Sequence, residues 1–174
     1  MSFLVTGQQN HKNREKYKIS SKEIPVFSPF QPLGVFRGEM PFSYYRTVRF
    51  ADTDAAGVVF FANYLAICHE AYEESLAAAG IELQGFFQNT GVIVPIAKSS
   101  AEYLRPLRPG DKLRVTVAPE ALTPNSYVIR FELFKLLPVE KLAARISTEH
   151  VATSPAKRAR VALPAELAAW VAAG

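Results

Sequence analysis

The chain has 174 residues, 49% hydrophobic and 21% charged, with a single cysteine, Cys68. That length supports one domain with its own core, and one cysteine excludes an internal disulfide framework or a cysteine-based metal cluster. The net charge of +4 and the pI near 9.2 raise nucleic acid or an anionic surface as partners. The distribution of charge argues against both. Residues 1–40 hold six Lys/Arg against three Asp/Glu, whereas residues 41–174 hold 14 against 13. No apolar run approaches the ~20 residues of a membrane span, and Phe3-Leu4-Val5 is too short for the apolar segment of a signal peptide. The expectation is a cytoplasmic protein with no nucleic-acid or membrane partner.

Residues 1–40 have no sustained hydrophobic period, and Pro25, Pro29 and Pro32 interrupt regular structure. They read as a flexible extension ahead of a folded domain over residues 41–174. The domain opens on a strand, in which Tyr44, Arg46, Val48 and Phe50 alternate with Tyr45, Thr47 and Arg49. A loop, residues 51–61, carries Asp52, Asp54 and Gly57. A helix from about Ala62 to Ala79 follows, with Leu65, Cys68, Tyr72, Leu76 and Ala79 on one apolar stripe and Gly80 as its stop. A short second helix covers Leu83 to Gln88.

Four strands complete the sheet. The first, Val92 to Leu104, contains Pro95 and therefore reads as an edge or a bulge. The second carries Leu113, Val115 and Val117 on one face. The third carries Tyr127, Ile129, Phe131 and Leu133 against Arg130 and Glu132. The fourth runs from Leu142 to Thr153. Pro164 begins a terminal helix over Ala165 to Ala172. Strand, long helix and four hairpin-connected strands give a two-layer α+β domain. One helix layer covers only one face of that sheet.

The three histidines, His11, His69 and His150, have no metal-ligand spacing, and the chain has no phosphate-binding glycine loop and no Gly-x-Ser-x-Gly. No metal or cofactor is expected. The segment with chemical content is Asp52-Thr-Asp54-Ala-Ala-Gly57, two carboxylates just before a long helix. The free N–H groups at a helix start carry partial positive charge and stabilise a developing oxyanion. A carboxylate beside such a site is the minimum for hydrolysing an ester or thioester. The competing reading is an N-cap and turn arrangement, which Asp-x-Asp before a helix commonly makes.

Phe50-Ala-Asp-Thr-Asp-Ala-Ala-Gly-Val-Val-Phe-Phe-Ala-Asn-Tyr64, followed by Ala101-Glu-Tyr-Leu-Arg-Pro-Leu-Arg-Pro-Gly-Asp111, resembles the two characteristic stretches of the 4-hydroxybenzoyl-CoA thioesterase family. The resemblance covers roughly residues 42–155 and implies a hotdog fold, a long helix wrapped by an antiparallel sheet. Within the family the motifs most resemble the 1,4-dihydroxy-2-naphthoyl-CoA thioesterases of phylloquinone biosynthesis. The rival substrates are 4-hydroxybenzoyl-CoA and short or medium acyl-CoA. A non-catalytic acyl-binding protein and a dehydratase are the readings from other classes.

The resemblance implies Asp54 as the catalytic carboxylate, either nucleophile or general base for water, with Asp52 orienting the loop. Gly57 allows close backbone approach, and the Phe61 N–H donates to the thioester oxygen. Phe60 and Phe61 form either an aromatic wall for the acyl group or part of the core. Asn63 is either a cap or a loop clamp, and Tyr64 begins the helix beside the substrate. His69 stands where hydroxybenzoyl-type enzymes carry an acidic residue against the ring hydroxyl. It either takes that contact or serves a helix or subunit contact. Cys68 and the glutamates at 70, 73 and 74 read as core and as a solvated or interface face. The partners implied are an acyl-CoA and a second copy, in a homodimer or homotetramer, because family sites form between subunits and the second sheet face needs cover.

Overall fold

The computed structural model describes residues 41–88 and 91–174. The extension expected over 1–40 lies outside the described residues. The elements are β1 (Phe42–Thr47), α1 (Asn63–Ala78), α2 (Leu83–Gln88), β2 (Ile96–Tyr103), β3 (Lys112–Thr123), β4 (Ser126–Lys135), β5 (Lys141–Val151), the short pair β6 (Thr153–Ser154) and β7 (Ala159–Arg160), and α3 (Ala165–Ala173).

The first five strands form one antiparallel sheet in the order β1-β3-β4-β5-β2. β1 and β2 lie on opposite edges, yet α1 is in the segment that joins them. The connection must therefore cross the whole sheet, which lays α1 over its face against β1, β3 and β5. Alternation in the strands turns one set of side chains toward the helix. Leu113, Val115, Val117, Ile129, Leu133 and Ala144 are fully or almost fully buried there. Each fully buried Leu, Ile or Val contributes roughly 1.5–3 kcal/mol from removed apolar surface.

The opposite face is polar and charged. Arg145 bridges Glu132 at 3.3 Å and Glu102 at 3.4 Å across three neighbouring strands. Such exposed pairs stabilise little, but they keep this face wetted. The place without a neighbour is the outer edge of β2. All eight of its residues are exposed, and among the described residues no strand pairs with that edge.

The sequence reading shifts in four places. β1 ends at Thr47, and Phe50 lies 86% exposed in a 3-10 turn, Phe50–Asp52, rather than in a strand. The turn forms because an Asp52 carboxylate oxygen accepts the Arg49 N–H at 2.6 Å. α1 buries Tyr64, Ile67, Cys68, Ala71, Tyr72, Ser75 and Leu76, a wider arc than the single stripe, because a sheet covers more of a helix than a neighbouring helix does. Leu65 is only half-buried and Ala79 is exposed. Pro164 caps α3 rather than opening its first turn, and the β6–β7 pair is additional. Gly80 ends α1 at φ +80, where a side chain would be strained. The expected bulge lies between Ile96 and Lys98, on an edge strand.

Candidate active site

The loop between β1 and α1 is a closed hairpin. Thr53 and Val59 form an antiparallel bridge. The Asp54 N–H donates to Val58 O at 2.9 Å, and the Gly57 N–H donates to Asp54 O at 3.0 Å. Gly57 has φ +71, the left-handed value that closes a three-residue hairpin loop. A Cβ at Gly57 would meet nothing within 4 Å, so within this chain the glycine serves the turn's backbone and not a crowded contact.

At the tip, Asp54 Oδ1 accepts the Ala56 N–H at 2.8 Å. One carboxylate oxygen is thereby fixed, and the other makes no hydrogen bond among the described residues. The side chain is exposed. The turn reading of Asp54 is correct as geometry and leaves half of the carboxylate available for chemistry.

Asp52 holds the loop's base. Its carboxylate meets Arg46 at 2.7 Å, and Arg46 in turn meets Glu70 on α1 at 2.8 Å. Tyr44 OH also donates to Glu70 at 3.1 Å. Burial first, then Glu70, pushes the Tyr44 pKa up. Glu70 is thus the anchor of a β1–loop–α1 network, not a member of a solvated face. The Asp52 carbonyl accepts the Phe60 N–H and the Asn63 side-chain amide, each at 2.9 Å. Asn63 is the first residue of α1, and Ala62 stands at the cap. Asn63 is a loop clamp, and the capping reading is corrected.

Phe60 and Phe61 are 40% and 61% exposed, with ring centroids 4.6 Å apart. Both lie outside the core. The Phe61 N–H donates no hydrogen bond among the described residues, as a helix-head oxyanion donor requires. Tyr103 OH donates to Phe61 O at 3.1 Å and so fixes the Phe61–Ala62 peptide. Sequence reading missed that role, although Tyr103 stands in the second motif. Tyr64 is 4% exposed and packs edge-on against Tyr103 at 5.0 Å. It belongs to the core cluster. Burial raises its pKa, opposed by the Leu107 backbone.

A cavity of about 410 Å³ opens between α1 and the sheet. Its walls include Leu65, His69 and Tyr72 from the helix and Ser99, Phe131 and Thr148 from the strands. That volume is in the range of small-molecule sites. It begins close to the loop, since Leu65 follows Phe61 by four residues, about 6 Å of helix. His69 is half-exposed and also meets Glu73 at 3.3 Å. The structure therefore brings His69 to the cavity, while Tyr64 faces the core.

Behind the cavity lies a buried polar cluster. His150 is 2% exposed. It stacks on Tyr127 at 4.8 Å and meets the Thr148 hydroxyl through Nε2 at 2.9 Å. Burial, with His69 adding to it, pulls the His150 pKa down to about 4, against the Val94 backbone. Tyr72 and Tyr127 share a hydrogen bond at 2.7 Å. Burial pushes the Tyr127 pKa up, with Tyr72 adding to it. Cys68 is 1% exposed, and burial pushes its thiol pKa far up, so it is core and no nucleophile. No group of three metal-ligating side chains occurs among the described residues.

A long helix laid across a five-stranded antiparallel sheet, with a carboxylate hairpin at its head, is the hotdog arrangement of thioester enzymes. The chain matches the Thioesterase-like superfamily over residues 48–171 and belongs to it. It is 46% identical over 132 residues to the 1,4-dihydroxy-2-naphthoyl-CoA hydrolase of Nostoc punctiforme, covering 76% of this chain and 87% of that one. It is 45% identical over 128 residues to the protein of the same name from Thermosynechococcus vestitus, covering 74% and 86%. Among solved structures, the 1,4-dihydroxy-2-naphthoyl-CoA thioesterase of Synechocystis superposes with a TM-score of 0.72 at 30% identity, over 75% of this chain and 95% of that one. The family and hotdog fold implied by the motifs are therefore those of the chain.

Proposed function

We propose that this chain is a thioester hydrolase that cuts an aromatic acyl-CoA to the free acid and coenzyme A. The substrate read from its relatives is 1,4-dihydroxy-2-naphthoyl-CoA, with the acid product serving phylloquinone biosynthesis. The observation that carries this reading is the pairing of one unengaged Asp54 oxygen with the unengaged Phe61 N–H at the head of α1. The Phe61 N–H stabilises charge on the thioester oxygen as a tetrahedral centre forms. The Asp54 oxygen either attacks the carbonyl carbon, giving an anhydride that water cleaves, or takes a proton from the attacking water. By both routes the C–S bond breaks, the thiolate leaves and takes up a proton, and one water is consumed.

Phe60 and Phe61 supply aromatic surface at the loop, and the cavity beyond Leu65 takes the ring system. Gly57 keeps the Asp54 turn in register, Asn63 holds the loop to α1, and Tyr64 supports the head of the helix from the core. Lys157, Arg158 and Arg160 make no ion pair among the described residues, which leaves them free for the coenzyme's phosphates. The location we read is cytoplasmic, supported by the unpaired thiol of Cys68. No helix among the described residues is long and apolar enough to cross a membrane.

A second copy completes the assembly in this reading. The outer edge of β2, which no strand pairs among the described residues, lies beside exposed Ile96 and Tyr103, and Tyr103 touches the loop. Sedimentation of the full chain should give a dimer or tetramer, and a concentration-independent monomer contradicts the assembly. The activity is tested by thiol release from a panel of aryl- and alkyl-CoA thioesters. The naphthoyl and benzoyl members should be cleaved fastest, and equal rates across the panel would remove the aromatic preference.

A further inference from the structure

The cavity has a polar corner on its sheet side, across from His69 and Tyr72 on the helix side. Ser99 on β2 and Thr148 on β5 are register partners, so their side chains stand side by side on the face toward α1, about 5 Å apart at Cβ. Both line the cavity, whose other walls include Leu65 and Phe131. The Ser99 hydroxyl makes no hydrogen bond among the described residues. The Thr148 hydroxyl makes one, to His150 Nε2 at 2.9 Å.

Which partner donates in that bond depends on the tautomer of the His150 ring. Buried His150 is neutral at pH 7, and a neutral imidazole has one N–H and one lone pair. The Val94 backbone favours the protonated ring, as only a carbonyl accepting from the ring can. With the ring N–H turned to the Val94 carbonyl, the Nε2 lone pair is left for the Thr148 proton, and this is the arrangement the proposal takes. With its proton turned inward, Thr148 presents only acceptor lone pairs to the cavity.

We propose that Thr148, oriented by His150, is the acceptor that selects an acyl ring carrying a hydroxyl group. The ring hydroxyl donates to Thr148 Oγ1 and accepts from Ser99. A ring that carries hydrogen there leaves both polar groups unpaired, whereas a methoxy group or a carbonyl can accept from Ser99 but cannot donate, which leaves the Thr148 acceptor unpaired. Thr148 is thus a specificity-determining residue and His150 a positioning residue that fixes its proton. The inference rests on the thioesterase reading and goes beyond it in naming the group read and the atom that reads it.

The test compares kcat/KM for 1,4-dihydroxy-2-naphthoyl-CoA, its 4-methoxy analogue and 2-naphthoyl-CoA, in the wild-type full chain and in Thr148→Val, Thr148→Ser and Ser99→Ala. The wild type should favour the hydroxylated thioester over both others by about tenfold or more, one buried hydrogen bond's worth of discrimination. Thr148→Val should bring both ratios down toward one. Thr148→Ser should retain the preference, and Ser99→Ala should reduce it in part. Equal kcat/KM for all three thioesters in the wild type overturns the inference while the thioesterase reading stands. A preference that survives both Thr148→Val and Ser99→Ala also overturns it. If Thr148→Val does not fold, the wild-type ratios and Ser99→Ala decide alone. Failure of the wild type to cleave any of the three would instead remove the reading on which the inference rests.

Discussion

The loop at the head of α1 and the cluster beneath its middle turns handle polar groups in opposite ways. The loop is exposed, and its backbone is pinned by short local hydrogen bonds so that a few groups, one Asp54 oxygen and the Phe61 N–H, remain free. The cluster of Tyr72, Tyr127, Thr148 and His150 is buried, and no buried polar side-chain atom among the described residues lacks a partner. The loop therefore has reactive capacity in reach of water, and the cluster holds paired polar groups that meet the cavity only through Tyr72 and Thr148. Burial makes those pairs stiff, because an unpaired group there costs about 1–3 kcal/mol. In the proposed reading the two regions divide the work along one helix, with reaction at its head and choice of ring deeper in.

Substitutions can break that division, beginning with the largest effect. Asp54→Asn should keep the fold, since the amide oxygen can still accept the Ala56 N–H, yet lower kcat by roughly 100-fold or more. Circular dichroism and thiol release on the same sample check this, and near-normal turnover would return Asp54 to a turn residue.

The cluster should instead show itself in stability against pH. The His150 pKa is held near 4 in the folded chain, below its ordinary 6.5. Above pH 6.5 the ring is neutral whether folded or unfolded, and its contribution is complete. As pH falls from 6.5 toward 4 the unfolded chain binds the proton first, and stability drops by on the order of 2–3 kcal/mol. Urea melts across that range should show the loss in the wild type and a shallower one in His150→Gln. Parallel curves would mean that His150 is not held neutral.

Arg46 joins the loop to α1 and sharpens the contrast. Its side chain is 11% exposed and meets both Asp52 and Glu70. Arg46→Met should destabilise the chain by about 1–3 kcal/mol by leaving the Asp52 carboxylate without its ion-pair partner. It should also lower kcat by roughly tenfold with little change in KM, because the loop loses its register. Arg46→Lys should recover only part of this, since an ammonium lacks the fork that spans two carboxylates. An unchanged kcat in Arg46→Met would detach the network from the chemistry.

The loop was legible in the sequence because its determinants are contiguous. Asp52, Asp54, Gly57 and Asn63 lie within twelve residues, and each sets a local hydrogen bond or a backbone angle. The strands were legible from alternation, most clearly Tyr127 to Leu133, and the end of α1 from Gly80. Phe50 misled because alternation continues past Thr47, while the 3-10 turn that stops β1 depends on the Asp52 side chain. Phe60 and Phe61 misled because an apolar pair reads equally well as core or as ligand wall. The cluster was illegible because Tyr72 meets Tyr127 from 55 residues away, and Tyr127 meets His150 only through the β4–β5 register. A lone histidine in a strand carries no sign of which carbonyl will fix its proton.

In the proposed reading binding and reaction rest on different residues, and calorimetric titration of the Asp54→Asn chain with intact 1,4-dihydroxy-2-naphthoyl-CoA tests that separation most directly. The titration should show saturable binding with the thioester recovered uncleaved. Absence of binding, or recovery of free coenzyme A at the wild-type rate, would contradict that reading.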